Sequence, residues 1–502
     1  MRESIRFVLD GEVVTLDAFD PTRTVLQYLR EDLQRIGSKE GCAEGDCGAC
    51  TVVLAELDGG GDALRYRAIN ACIQFLPTLD GKELITVESL SSGEELHPVQ
   101  EAMVECHGSQ CGFCTPGFVM SLFALYKSRE SVERVEIDTA LSGNLCRCTG
   151  YRPIVEAAAK MHSLGAQVPP GQRTRLNTAF ASEASDPVPH EADAIGRLKA
   201  IEPGDTVHLQ AKGRDYFAPH TVTAMAQILE QHPDACILAG GTDIGLWVTK
   251  QYRDLATVVY LGNVAELKSV ETTATHLEIG AAVNFTDALP ALDHHYPEFE
   301  ELWLRFASPP IRNAATLCGN IANGSPIGDS MPALMALDAS VVLRKGTRTR
   351  ELGLDAFYFD YMVNALEPGE FVERVRIPLP RPGQFVRCYK LSKRFDQDIS
   401  ALCGAYALEL ENNVVKSVRV AYGGLAATVK RATRCEQALT GKPWTEATVR
   451  AGMAELDHDF TPLTDMRASR EYRSTTARNL LHRFFLDSQN NGTLTNVYAY
   501  GR

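Results

Sequence analysis

The sequence predicts a multidomain α+β protein, and three observations carry that prediction. At 502 residues the chain is too long for one core when domains take roughly 100–200 residues each. Strand-like and helix-like stretches follow one another in blocks rather than in a single repeating pattern. Eight of the 14 cysteines fall into two clusters in the first third, which marks separate small units there. A composition of 45% hydrophobic and 23% charged residues supplies material for buried cores and excludes a disordered or collagenous chain.

Each element follows from local pattern. Ile5, Phe7 and Leu9 alternate with other residues, Asp10-Gly11 is a two-residue turn signal, and Val14 and Leu16 resume the alternation, so the chain should open on a β-hairpin. Val25, Leu26, Leu29 and Leu33 recur at near-helical spacing, with Gly37 placed to end that helix. Thr51–Ala55 and Ile69–Leu76 read as strands. From His97 to about Met161 the pattern turns helical: Val99, Met103 and Cys106 share one face, Phe118, Leu122 and Leu125 another. Thr115-Pro116 and Arg152-Pro153 put proline where a first helical turn tolerates it. Between about Gly165 and Lys212 the chain carries Pro-Pro-Gly and then Glu-Ala-Ser-Asp-Pro-Val-Pro with little periodicity, as a long surface linker would. Beyond it, Ala235–Leu238 is a strand running into Ala239-Gly240-Gly241-Thr242-Asp243 and a helix over Ile244–Lys250. Ala405–Leu410 and Ser417–Tyr422 form a hairpin about Asn412-Asn413, and Ser469–Phe485 a helix.

The charge sum of −14, from 50 basic and 64 acidic residues, argues against nucleic acid, whose binders carry a basic footprint. No apolar run approaches the roughly 20 residues that cross a bilayer. Met1–Gly11 lacks the basic start, apolar stretch and small-residue site of a secretory signal. The expectation is a cytoplasmic protein with no membrane association, in which clustered thiols serve metals or redox chemistry rather than disulfides.

Cys42-x4-Cys47-x2-Cys50 with Cys72 downstream matches the plant-type [2Fe–2S] spacing. Gly41, Gly45 and Gly48 between the thiols let the loop fold tightly and aim backbone N–H groups at sulfur. A four-thiolate zinc site usually pairs short-spaced ligands instead. Cys111-x2-Cys114 with Cys146-x-Cys148 suits either zinc or a second cluster by spacing alone; a second cluster beside the first would shorten each electron hop. Cys106, Cys236, Cys318, Cys388, Cys403 and Cys435 stand singly and read as small hydrophobes. Downstream there is no G-x-G-x-x-G after a strand, no Walker A sequence and no G-x-S-x-G elbow. The turn at Ala239–Asp243 could offer backbone N–H groups to a pyrophosphate, or be only a tight connection.

Lys39–Thr51, Gly108–Gly117 and Gly143–Pro153, taken together, resemble the two cluster signatures of the molybdenum hydroxylases, and the resemblance extends over nearly the whole chain. It implies a β-grasp, plant-ferredoxin-like [2Fe–2S] domain over 1–90 and a four-helix-type [2Fe–2S] bundle over 91–164. A linker at 165–212, a vanillyl-alcohol-oxidase-like FAD-binding domain over 213–386 and a C-terminal α+β flavoprotein domain over 387–502 would follow. Cys42, Cys47, Cys50 and Cys72 would bind one cluster and Cys111, Cys114, Cys146 and Cys148 the other. The same resemblance assigns FAD contacts to Leu238, Ala239, Gly240, Gly241, Thr242, Asp243 and Ile244, to Phe306, and to Thr316–Asp329, including Thr316, Gly319, Asn320 and Asp329. Lys390 and Arg394–Asp398 would lie near the flavin and the entrance for NAD+, and Gln110 and Cys148 would face a molybdopterin held by another polypeptide. Single-chain relatives continue into a molybdenum domain, whereas this sequence ends at Arg502, so a large molybdenum-binding partner subunit is expected, in an (αβ)2 heterotetramer.

The implied activity is electron transfer from the partner's molybdenum through two clusters to FAD and NAD+, during oxidation of hypoxanthine or xanthine to urate. Alternatives are the same role toward an aldehyde or N-heterocycle, or a stand-alone flavin/iron–sulfur diaphorase.

Overall fold

The computed structural model describes residues 1–91, 93, 95–180, 191–202 and 204–489, and the chain divides into two compact units. The first takes Met1–Ala265 with Asn284–Thr286 and Ala307–Ala315; the second takes Glu266–Val283, Asp287–Phe306 and the chain from Thr316 onward. The division therefore runs through the segment 213–386 expected as a single flavin domain.

In the first unit, Ile5–Leu9 and Glu12–Leu16 pair antiparallel about Asp10-Gly11. Their φ values of 51° and 80° both lie in the left-handed region that a two-residue hairpin turn requires. Ile5–Leu9 runs parallel to Glu83–Ile85, which pairs antiparallel with Thr51–Leu57, itself antiparallel to Leu64–Asn70. The result is a mixed five-stranded β-grasp sheet. The period of two decides its packing. Ile5, Phe7 and Leu9 enter one core with Val25, Leu29 and Leu84, while Val8 points to the opposite face and meets Leu198 and Ile201.

Three local expectations are corrected. The helix begins as expected, with a Thr24–Gln27 capping box, but widens into a π-turn over Tyr28–Asp32. It stops before Gly37: Gln34 takes a left-handed φ of 56° and Arg35 N–H donates to the Leu29 carbonyl at 2.8 Å. The strand expected over Ile69–Leu76 ends at Asn70, opposite Thr51. Ala71–Ile73 form a turn instead, because continued pairing would hold Cys72 in the ladder rather than beside Cys50. The linker is partly structured. The Arg175 guanidinium donates to Glu83 at 2.6 Å and to the Tyr66 hydroxyl at 2.9 Å, and Glu191–Ile201 is a helix. The Glu-Ala-Ser-Asp-Pro-Val-Pro tract lies outside the described residues.

Four helices, Pro98–Glu105, Thr115–Ser128, Arg134–Leu141 and Arg152–Gln167, form the bundle. Pro98, Pro116 and Pro153 occupy first turns, where no intrahelical N–H is needed. Phe118, Leu122, Phe123 and Met161 pack with Val53, Ala55 and Ile85 from the sheet, each of these buried side chains except the small Ala55 contributing about 1.5–3 kcal/mol over its exposed state. The unit also carries the sheet Val207–Ala211, Arg214–Ala218, Thr257–Tyr260 and Cys236–Leu238, in that order, the last three strands being parallel.

The second unit holds an antiparallel sheet of Val270–Thr272, His276–Gly280, Phe371–Pro378, Ser340–Lys345 and Arg348–Gly353, in that order. It also holds a four-stranded antiparallel sheet of Phe385–Leu391, Leu402–Glu411, Val414–Gly423 and Lys430–Arg431. Asn412 and Asn413, at φ 53° and 60°, make the expected hairpin turn. Tyr389, Tyr406, Tyr422 and Leu408 pack beneath helices Thr433–Leu439, Glu446–Asp459 and Arg470–Ser488. Among the described residues no helix is long and apolar enough to cross a membrane.

Candidate functional site

The first cysteine loop is built by backbone that only small side chains permit. Ala43, Gly45 and Gly48 have φ of 54°, 79° and 69°, and a Cβ on Gly41 would stand 2.8 Å from the Cys47 sulfur. The loop turns the N–H groups of Glu44, Asp46 and Cys47 onto Cys42 Sγ, each at 3.4 Å. Cys42 hydrogen-bonds to the Cys47 and Cys72 thiols, and Cys72 also reaches Cys50, so all four expected ligands are brought together. Hydrogen bonds from Cys47 and Cys72 hold the Cys42 thiol far below the ordinary thiol range, with the loop N–H groups adding to them. Those same contacts, together with burial, push Cys47 and Cys72 up. Three backbone N–H groups thus face one sulfur, as donors around a thiolate ligand do.

The second set also closes. Cys111 contacts Cys148, and Cys114 contacts Cys146. Cys114 precedes the helix Thr115–Ser128, and burial followed by the Cys146 contact pushes its thiol up to about 12. Burial works against ionisation of Cys146, but Thr149 outweighs it: its hydroxyl lies 3.2 Å and its N–H 3.5 Å from that sulfur, and the thiol is lowered. Cys111 is lowered by the Phe113 N–H and then by Cys148. Cys111, Cys148 and Gln110 are exposed, whereas Cys50 and Cys72 are buried. Among the described residues no group of three or more His, Cys, Asp or Glu is arranged to hold a metal ion; the first set runs as a chain from Cys47 through Cys42 and Cys72 to Cys50, and the second meets as two pairs. Four thiols to a set, with N–H groups turned onto sulfur, are a donor set that suits a [2Fe–2S] cluster.

The two loops touch. The Leu145 N–H donates to the Cys47 carbonyl at 3.0 Å, and buried Asn144 donates to the Gly48 carbonyl at 3.1 Å while accepting from Ser121 at 2.6 Å. A Cβ on Gly48 would meet the Gly143 carbonyl at 2.2 Å, and one on Gly117 the Gly48 carbonyl at 2.1 Å. Spacing alone shows none of this role for Gly117, Ser121 and Asn144, because it arises from contact between two domains.

The Leu238–Ile244 turn leaves the strand Cys236–Leu238 and leads into the helix Ile244–Thr249. Gly241 has φ 74°; a Cβ on Gly240 would lie 1.9 Å from the Ala314 carbonyl. The helix after the turn sits on the first cysteine loop. A Cβ on Gly245 would meet the Ile73 carbonyl at 2.5 Å, and the Thr249 hydroxyl donates to the Ala43 carbonyl at 2.8 Å.

In the second unit, Thr316 caps the helix Leu317–Asn323 through Gly319 N–H at 3.0 Å, and Gly324 ends it at φ 64°. Asn320 accepts from Ser330 at 2.6 Å. Asp329 accepts from Lys390 at 2.5 Å and from Ser400 at 2.6 Å, all three buried. Lys390 is therefore no part of a solvated loop. Asp398 accepts from the Arg394 N–H at 2.9 Å; burial opposes its ionisation, but the Arg394 backbone and guanidinium hold it below the usual carboxylate range. Phe306 is half-buried at the end of the helix Glu300–Arg305.

Four domain families match in succession: 2Fe-2S iron-sulfur cluster binding domain over 7–75, [2Fe-2S] binding domain over 86–159, FAD binding domain in molybdopterin dehydrogenase over 209–380, and CO dehydrogenase flavoprotein C-terminal domain over 387–488. Xanthine dehydrogenase of Emericella nidulans is 33% identical, the match covering 97% of this chain and 38% of that protein. Xanthine dehydrogenase of Drosophila pseudoobscura pseudoobscura is 33% identical over 87% of this chain and 35% of its own length. The chain thus spans less than two fifths of these relatives. Among solved structures, a Cu,Mo-CO dehydrogenase in cyanide-inactivated form aligns at 25% identity and a TM-score of 0.51, over 54% of this chain and 95% of that one. Carbon monoxide dehydrogenase of Hydrogenophaga pseudoflava aligns at 26% and 0.51, over 53% and 94%. Two [2Fe–2S] domains joined to a molybdopterin-dehydrogenase FAD domain define an iron–sulfur flavoprotein whose task is electron transfer. These four domains in this order, with the xanthine dehydrogenase match running along 97% of the chain, fit the iron–sulfur and FAD region of a molybdenum hydroxylase.

Proposed function

We propose that this chain is the electron-transfer part of a xanthine dehydrogenase, carrying electrons from a molybdenum cofactor on a partner subunit to FAD and NAD+ while hypoxanthine or xanthine is oxidised to urate. When bound, [2Fe–2S] clusters exchange single electrons, and FAD gathers two for transfer as hydride. The observation that carries the reading is the succession of contacts within the first unit: the second cysteine set joined to the first through Leu145 and Cys47, and the first set joined to the glycine turn through Ile73 with Gly245 and Ala43 with Thr249.

In this reading Cys111, Cys114, Cys146 and Cys148 hold the partner-side cluster, with exposed Cys148 and Gln110 presented to the molybdopterin. Cys42, Cys47, Cys50 and Cys72 hold the inner one. Gly240 and Gly241 let the Leu238–Ile244 backbone approach the FAD pyrophosphate, and Phe306, Thr316, Gly319, Asn320 and Asp329 contribute flavin contacts. Lys390 fixes Asp329, and Asp398 holds the loop by which NAD+ enters. The partner is a molybdenum-binding large subunit in an (αβ)2 heterotetramer, in a reducing cytoplasm where thiols stay available for cluster assembly. In support of a separate partner, about half of this chain accounts for nearly the whole of a CO dehydrogenase chain. The second reading is a molybdenum hydroxylase acting on an aldehyde or N-heterocycle, since the FAD and C-terminal domain families are named for molybdopterin and CO dehydrogenases and not for a purine enzyme.

The test is anaerobic addition of xanthine to the purified complex. Bleaching of flavin and cluster absorbance, reversed by NAD+, is expected. Bleaching by an aldehyde or N-heterocycle alone moves the assignment to the second reading, and copurification without any molybdenum-containing chain overturns both.

A further inference from the structure

Cys388 and Cys403 lie on neighbouring antiparallel strands, Phe385–Leu391 and Leu402–Glu411, with Cys403 directly opposite Lys390 and Cys388 opposite Ala405. Side chains two apart on a strand share a face, so Cys388, Lys390 and Cys403 stand on the same face, and the two sulfurs are 3.7 Å apart. Cys388 is half-buried and Cys403 is 1% exposed. Cys318 and Cys435 differ from this pair: the first sits against the Ile279 carbonyl and the second among Leu439 and Gly452, as isolated apolar cysteines do.

We propose that Cys388 and Cys403 are a redox-active dithiol that closes to a disulfide by exchange with small-molecule disulfides of the oxidised-glutathione class. The Cys388 thiolate attacks one sulfur of the small disulfide, forming a mixed disulfide and releasing one small thiolate. Cys403 then gives up its proton and attacks the Cys388 sulfur, expelling the second. The dithiol loses two electrons and two protons, and the small disulfide gains both to leave as two thiols. Burial sets the order, since Cys388 is the less buried of the two and Cys403 is placed to resolve it. A disulfide bond is about 2.05 Å long, so the sulfurs must approach each other by roughly 1.7 Å. Closure draws Cys403 away from the Asp329 carbonyl, now 3.9 Å from its sulfur, and so acts on the residue that Lys390 and Ser400 anchor.

The holoprotein, with clusters and flavin in place, is incubated with oxidised glutathione, free thiols are alkylated, and peptides are mapped by mass. A peptide joining Cys388 to Cys403, with both positions lost from the alkylated pool and regained after dithiothreitol, is expected. In Cys403→Ser, with a denaturation midpoint matching the parent to confirm the fold, a glutathione adduct should persist on Cys388; in Cys388→Ser neither adduct nor cross-link should form. Full alkylation of both residues in the unaltered holoprotein, or a lasting glutathione adduct on its Cys388 without the cross-link, overturns the proposal. Absence of any adduct in folded Cys403→Ser overturns it as well, since Cys388 would then not be the attacking thiol.

Discussion

The Leu145 N–H donates to the Cys47 carbonyl at 3.0 Å, so a backbone bond joins the residue before Cys146 to the backbone of a cysteine of the other set. Around it the glycines leave no spare volume: a Cβ on Gly117 would press within 2.1 Å of the Gly48 carbonyl. Gly117→Ala should therefore push the start of the helix Thr115–Ser128 away from the first loop, at about 1–3 kcal/mol of overpacking. A lower denaturation midpoint together with loss of iron is expected. A variant matching the parent in both would show that the loops can separate freely.

Cys47→Ser should cost the inner cluster alone, because the thiols of the second set make their contacts with one another. Half the parent's iron should remain, with the electron paramagnetic resonance of a single cluster. An equivalent amount of zinc in the parent protein would defeat the assignment.

Gly241→Val should lower FAD content while both clusters stay loaded. At φ 74° a β-branched residue is strained, and its side chain would obstruct backbone approach to a pyrophosphate. Flavin retained at the parent's stoichiometry in a folded variant removes Gly241 from the site.

The bundle should lose stability in acid through His97. Its Nδ1 accepts from Val99 N–H and caps the helix Pro98–Glu105, and burial depresses its pKa from 6.5 to about 4. The folded state thus prefers the neutral ring. That stability is complete above about pH 6.5 and drains as pH falls through 6.5 toward 4, where the unfolded chain takes up a proton that the native chain refuses. The span is worth about 3 kcal/mol. Amide-exchange protection of Pro98–Glu105, corrected for intrinsic rates, should fall over this window in the parent and stay flat in His97→Asn, which keeps a capping oxygen without a titrating group.

The elements legible in the sequence are those fixed by local chemistry. The Asp10-Gly11 and Asn412-Asn413 turns, the prolines at 116 and 153 and the alternation of Ile5, Phe7 and Leu9 each settle their own conformation. What escaped reading depends on distant partners. The strand through Asn70 stops because Cys72 must reach Cys50, and Gln34 ends a helix for which Gly37 is the better local candidate. Glu191–Ile201 lies in the stretch expected as a linker, and its Leu198 and Ile201 are buried against Val8, far back in the chain. The cysteine spacing showed which thiols belong together, but not that Asn144 and Gly117 lock one loop to the other.

Cys148→Ala should break the path from molybdenum to FAD while leaving NADH-to-dye activity largely intact. The argument is positional. Cys148 and its contact partner Cys111 are exposed, Cys50 and Cys72 are buried, and the glycine turn sits on the inner loop through Gly245 and Ile73. In the proposed relay, electrons entering from a partner meet the outer set first, whereas NADH, exchanging hydride at the flavin, would need neither set. Cys148 makes its side-chain hydrogen bond to Cys111 at the surface, so its loss should leave the core of Phe118, Leu122 and Met161 intact. The complex is isolated with its partner, flavin and molybdenum contents are matched to the parent, and xanthine:NAD+ turnover is compared with NADH:dye turnover. A fall of at least tenfold in the first, with the second within twofold of the parent, is expected. Parent-level xanthine:NAD+ turnover in protein shown to lack that cluster would mean that electrons reach FAD by another route, and the outer cysteine set would then lose its place in the relay.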